Sequence, residues 1–96
     1  MNNPVISNPR TEPRIRVRLP VRLQFGWKGS EEVRATTIDI SERGISVHCQ
    51  APLRLGMEVK AILESAPDEV KVYHVVWFRE AESSEQGFNA GLELEP

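Results

Sequence analysis

Ile15, Val17, Leu19, Val21, Leu23 and Phe25 alternate without interruption with Arg16, Arg18, Pro20, Arg22 and Gln24. A side-chain period of two is the geometry of a pleated strand, with one face on a core and the other in water. Pro20 has no N–H to give to a ladder, so it predicts an edge, a bulge or a bend within this strand.

Five further segments continue the pattern. Residues 33–40, 45–49, 57–63, 70–78 and 88–94 are rich in β-branched and aromatic residues or alternate apolar with polar ones. In the 57–63 segment, Val59 and Ala61 are expected on the core face, with Glu58, Lys60 and Ile62 opposite. Gly, Pro, Asp and Ser separate the segments at 26–30, 41–44, 52–56, 66–68 and 80–87. No stretch reads as a helix. Six short strands at regular spacing indicate an antiparallel barrel or sandwich, and the barrel leaves fewer open edges.

A chain of 96 residues accommodates one domain, expected over residues 14–96. Residues 1–13 carry Pro4, Pro9 and Pro13 without apolar periodicity and read as a flexible arm. With 40% apolar and 27% charged residues the composition is globular. No apolar run reaches the length of a membrane span, and the N-terminus lacks the features of a signal peptide. Cys49 is the only cysteine and shares a face with Ile45 and Val47, so it is expected in the core. A chain without an internal disulfide suits a reducing cytoplasm. His48 falls on the opposite face and His74 in another strand, so no zinc-type spacing exists and no metal is expected.

The net charge of −2 conceals an asymmetry. Residues 1–30 carry +5 and residues 31–96 carry −7, so the arm and first strand attract anions while the remainder repels polyanions.

Two features could carry chemistry. Asp39-Ile-Ser41-Glu-Arg-Gly44 reads as strand, polar turn, strand. Asp39 and Ser41 can bond nearby backbone, and Gly44 suits a left-handed or closely approached position. Such a corner can hold a ligand or can simply be a hairpin. The arginines form either a solvated basic face or a phosphate clamp, since guanidinium binds phosphate oxygens bidentately. Ser41 has no evident histidine partner and no phosphate-binding glycine loop precedes a helix, so catalysis is not expected.

Arg10-Thr-Glu-Pro-Arg14, with the apolar strand after it, resembles the R-x-x-x-R arm of PilZ domains. Asp39, 25 residues beyond Arg14, opens a stretch matching that family's D/N-x-S-x-x-G motif. Val75-Val76-Trp77-Phe78 and Ala90-Gly91-Leu92-Glu93-Leu94 are similar to its later strands, so the resemblance spans residues 9–95. It implies an all-β fold, a six-stranded antiparallel β-barrel of split-barrel type. It also implies a non-catalytic receptor for the bacterial second messenger cyclic di-GMP, cytoplasmic, needing no cofactor and signalling to a downstream protein. Arg10 and Arg14 would grip phosphate and guanine, Asp39 and Ser41 would bond a guanine, and Gly44 would permit close approach, with Arg43 and Arg16 as further candidates. Departures from the pattern are Pro9, where many members have arginine, and Arg43, where many have glycine. Arg14 to Arg18 also fits R-x-x-x-R; Arg10/Arg14 is preferred because the apolar alternation follows Arg14. Without an arginine at position 9, one ligand per domain is favoured over an intercalated pair. The alternatives are a PilZ-like protein-interaction domain and a single-strand nucleic-acid barrel. The latter would need aromatics along a basic groove, and only six aromatics occur.

Overall fold

The computed structural model describes residues 13–82 and 86–95. The strands are β1 (Ile15–Arg16), β2 (Pro20–Phe25), β3 (Glu31–Ile40), β4 (Gly44–Cys49), β5 (Glu58–Leu63), β6 (Val70–Glu80) and β7 (Phe88–Leu94). All pairings are antiparallel. The order β3-β2-β5-β6-β7-β4 closes through β3–β4 into a six-stranded barrel, and β1 adds a short seventh strand beside β3. Closure leaves no long unpaired edge. The arm expected over 1–13, with Arg10 in it, lies outside the described residues except for Pro13.

The alternating segment 15–25 is therefore two strands rather than one. β1 pairs with Asp39 and Ile40, and β2 begins at Pro20 opposite Thr36. One more residue lies between these pairs on the β1–β2 side than on β3, so the ladder is broken at 17–19, just before the proline. Thr37 repairs the break. It is fully buried, its hydroxyl donates to Val17 O, and its oxygen accepts from Leu19 N at 2.8 Å. Its own N–H donates to Leu19 O at 2.9 Å. A side chain thus supplies bonds that the interrupted ladder lacks.

The interior is filled from every strand of the ring. Val21, Leu23, Val47, Val59, Val75, Ala90 and Leu92 are each at most 2% exposed. Burying one Val or Leu fully contributes about 1.5–3 kcal/mol, so the inward-facing set is the main source of stability. Cys49 is in this core as expected, and burial pushes its thiol pKa up. Phe25, Phe78 and Phe88 pack at the core margin or on one another, the latter two with ring centroids 5.1 Å apart. Ile62 departs from the expectation of an exposed face, being buried. It faces outward in the middle of the sheet, in register with Arg22 on one side and Val70 on the other, where flanking side chains screen it from water. The 26–30 connection contains a 3₁₀ turn at Trp27–Gly29, with Lys28 at φ 55°.

Replacing Thr37 by valine keeps the volume and removes the hydroxyl, leaving Val17 O and Leu19 N without that partner. Thr37→Val is expected to lose about 1–3 kcal/mol of unfolding free energy in a denaturant titration. A loss below about 0.5 kcal/mol would show that the buried hydroxyl does not hold the break together.

Candidate functional site

Two β-bulges decide which side chains reach the outside of the barrel at one end. In β3, Thr37 pairs with Val47 but Asp39 pairs with Ser46, so Ile38 is an extra residue. Thr37 and Ile40 can then both face the core while Asp39 turns outward. In β6, Val75 pairs with Leu92 but Trp77 pairs with Gly91, so Val76 is the extra residue. Val75 and Phe78 both meet the core, and Trp77 turns outward. The result is a row across five strands: Arg16, Asp39, Ser46, Gly91 and Trp77.

The turn after β3 is tight. Ser41 N–H donates to Gly44 O at 2.8 Å, and the Ser41 hydroxyl lies 3.3 Å from the same oxygen. Glu42 and Arg43 form its exposed tip. Gly44 is required by close approach rather than by a left-handed φ, because a Cβ there would overlap Leu92 O. Gly91 is required for the same reason, since its Cβ would overlap the Trp77 indole. Gly44 thus lets β4 lie close against the β7 backbone, and Gly91 seats the Trp77 indole on the outer face of β7.

An open cleft of about 360 Å³ lies beside these two glycines. Gly44 and Gly91 line it together with Val76, Trp77 and Glu93, and Arg14, Ser41 and Arg43 come from the arm side and the turn. The volume is within the range of small-molecule sites. Arg79 lies over the Trp77 ring, 4.7 Å from its centroid, and helps fix that wall. Glu93 brings a carboxylate to the cleft, with the His74 ring 3.9 Å away.

Arg14 and Asp39 meet. Arg14 Nη1 donates to Asp39 Oδ1 at 2.5 Å, with the two side chains 46% and 21% exposed. A pair this exposed contributes about 1 kcal/mol or less to stability. Its consequence is positional, because it holds Arg14 against the end of β3, next to the 41–44 turn at the edge of the cleft.

Of the residues singled out from sequence, Arg14, Ser41, Gly44 and Arg43 line the cleft. Asp39 reaches it through Arg14. Arg16 is exposed and opposite Asp39 in the ladder, without lining the cleft. Arg10 lies outside the described residues. Sequence reasoning missed Trp77, Gly91 and Glu93 as cleft residues. The available signals were four consecutive apolar residues at 75–78, which break the period of two, and a glycine inside an alternating strand. Among the described residues, no group of three or more His, Cys, Asp or Glu is placed to hold a metal ion. Among the same residues, no helix is long and apolar enough to cross a membrane.

These features define a closed antiparallel barrel with a ligand-sized cleft on its outer face, bounded by Arg14 and a D-x-S-x-x-G turn. The sequence matches the PilZ domain model over residues 8–96, and the chain belongs to the PilZ domain family. Among solved structures, the Bacillus subtilis Inhibitor of motility (MotI/DgrA) is similar, with a TM-score of 0.73 and 21% sequence identity. The match covers 95% of this chain and 44% of that one, so this chain spans less than half the length of that protein. At that identity the likeness shows the fold. No curated protein matches the sequence.

Gly91→Ala is expected to push the Trp77 ring off the strand. Near-ultraviolet circular dichroism of tryptophan should change, and stability should fall by about 1–3 kcal/mol, as for overpacking elsewhere. An unchanged tryptophan signal would contradict the packing of ring on glycine.

Proposed function

We propose that this chain is a non-catalytic receptor for cyclic di-GMP, bound on the outer face of the barrel between the arm and the 41–44 turn. The observation that carries this reading is the Arg14–Asp39 contact beside a cleft floored by two glycines. Residues 25 positions apart, each from a separate family motif, meet at one place.

The chemistry suits the ligand. Arginine forks bind phosphate oxygens bidentately, and guanine offers N7 and O6 as acceptors to the same group. The guanine N1–H and amino group are donors that a carboxylate such as Asp39 or Glu93 can accept. Gly44 and Gly91 put no side chain of their own into the cleft they line. The Arg14–Asp39 pair costs little to open, so both residues can be redirected to ligand. Arg10, four residues before Arg14 in sequence, would supply the second guanidinium. Arg43 lines the cleft and can add a phosphate contact. The reading has one dinucleotide per domain, with residues 1–13 as a ligand-binding arm ordered by it against a barrel of residues 14–96.

The wider assignment follows the same reading: a bacterial cytoplasmic protein that alters a partner protein when the messenger binds. The similar structure is that of an inhibitor of motility, which fits a regulatory output of this type. A single-strand nucleic-acid barrel is less well supported, because Trp77 alone among the aromatics lines the cleft.

Isothermal titration should show saturation near one equivalent of cyclic di-GMP, with GMP, GTP and single-stranded RNA binding far more weakly. Equal affinity for RNA would contradict the assignment. Arg14→Ala and Asp39→Ala should each weaken binding at least tenfold, about 1.4 kcal/mol or more. Arg22→Ala, on the outer face of β2 and ion-paired with Glu32 at 3.7 Å, should change it little. Equal losses from all three would indicate a diffuse basic patch instead of a site.

A further inference from the structure

The turn at 41–43 has a second side. Ser41 lines the cleft described above and also a smaller cavity of about 80 Å³ in the mouth of the barrel. Ile40, Ile45, Ala61, Leu63 and Leu94 supply apolar lining. Glu42, Glu69 and Lys71 bring two carboxylates and one ammonium to it.

Tyr73 also lines this cavity and is only 6% exposed. Its hydroxyl has no hydrogen-bond partner among the described residues. Burial pushes its pKa up, as for a phenol withdrawn from water. A buried hydroxyl without a partner is costly, and buried tyrosines ordinarily find one.

We propose that the barrel mouth docks an aliphatic side chain of a partner protein, flanked in that partner by a basic residue. The volume is about half that of a cavity known to take up benzene, roughly 150 Å³, so it suits a branched group of four or so carbons. A free molecule that small has too few atoms to hold tightly, whereas the same group on a peptide adds contacts at the rim. The rim carries one more carboxylate than ammonium, which favours a basic flank. The incoming main chain can offer a carbonyl to the Tyr73 hydroxyl. Since Ser41 borders both cavities, a ligand in the outer cleft and a partner at the mouth would share the 41–43 turn, and coupling between them would be reciprocal.

The test uses the whole chain and needs no dinucleotide, so it stands apart from the cyclic di-GMP assignment. Methyl NMR spectra are recorded with acetyl-Lys-Leu-Lys-amide, with acetyl-Lys-Ala-Lys-amide and with isobutanol. The leucine peptide should shift the methyls of Ile40, Ile45, Leu63 and Leu94, with at least fivefold higher affinity than the alanine peptide, and leave Val76 unmoved. Ala66→Leu, at the half-buried edge of the mouth, should fill the cavity and abolish these shifts. Tyr73→Phe keeps the ring and should weaken the leucine peptide at least threefold. Equal binding of both peptides, shifts at Val76 instead of the mouth, or no shifts would overturn the proposal. Isobutanol binding as tightly as the leucine peptide would overturn it in favour of a free small ligand.

Discussion

In an antiparallel ladder one extra residue reverses the face taken by every side chain after it, and the functional end of this barrel depends on two such residues. Were Ile38 paired in a regular ladder instead of bulged, the alternation that buries Ala35 and Thr37 would carry Asp39 inward and Ile40 outward. An unpaired carboxylate in an apolar interior is far more costly than an exposed isoleucine, so the bulge is demanded by the core as much as by the site. Val76 does the same in β6, sending Phe78 to the core and Trp77 to the outer face over Gly91. Core parity and site parity are therefore set by the same two insertions.

Arg14 reaches the site because of how the break between β1 and β2 is resolved. Thr37 is a polar residue in the core, tolerable because its hydroxyl both donates and accepts across the break. That bonding holds 17–19 against β3 and lets β1 resume beside Asp39 and Ile40. Arg14 immediately precedes β1 and so emerges next to the Asp39 carboxylate. Arg14 and Asp39 meet through the β1–β3 backbone pairing, and the exposed ion pair itself needs little strength. A contact of this type exchanges readily for one to a ligand.

Much of the architecture is legible in residue order. The alternation at 15–25, the proline within it and the later β-branched runs are local signals, and a barrel of six short strands follows from them. The extra strand arises because Pro20 divides the first run, a possibility that the missing N–H already raised. In the site, Arg14, Ser41 and Gly44 are legible because each belongs to a short local motif, and the structure places all three at one cleft. Trp77 and Glu93 were not, because their membership depends on which residues of β4, β6 and β7 stand opposite one another. A period of two does not specify that register once a bulge intervenes. Ile62 is buried against its own strand's alternation for a related reason: burial on an outer face is decided by neighbours on β2 and β6.

One site for a cyclic dinucleotide, formed by Arg14, the 41–44 turn and the strands bearing Gly44 and Gly91, is the central proposal. Backbone amide spectra of the chain titrated with cyclic di-GMP test it most directly. The account predicts shifts concentrated at Arg14, Asp39, Ser41, Gly44, Trp77 and Gly91, with β2 and β5 unmoved. Shifts spread along Arg16, Arg18, Arg22 and Arg34, or none at Gly44 and Gly91, would contradict it.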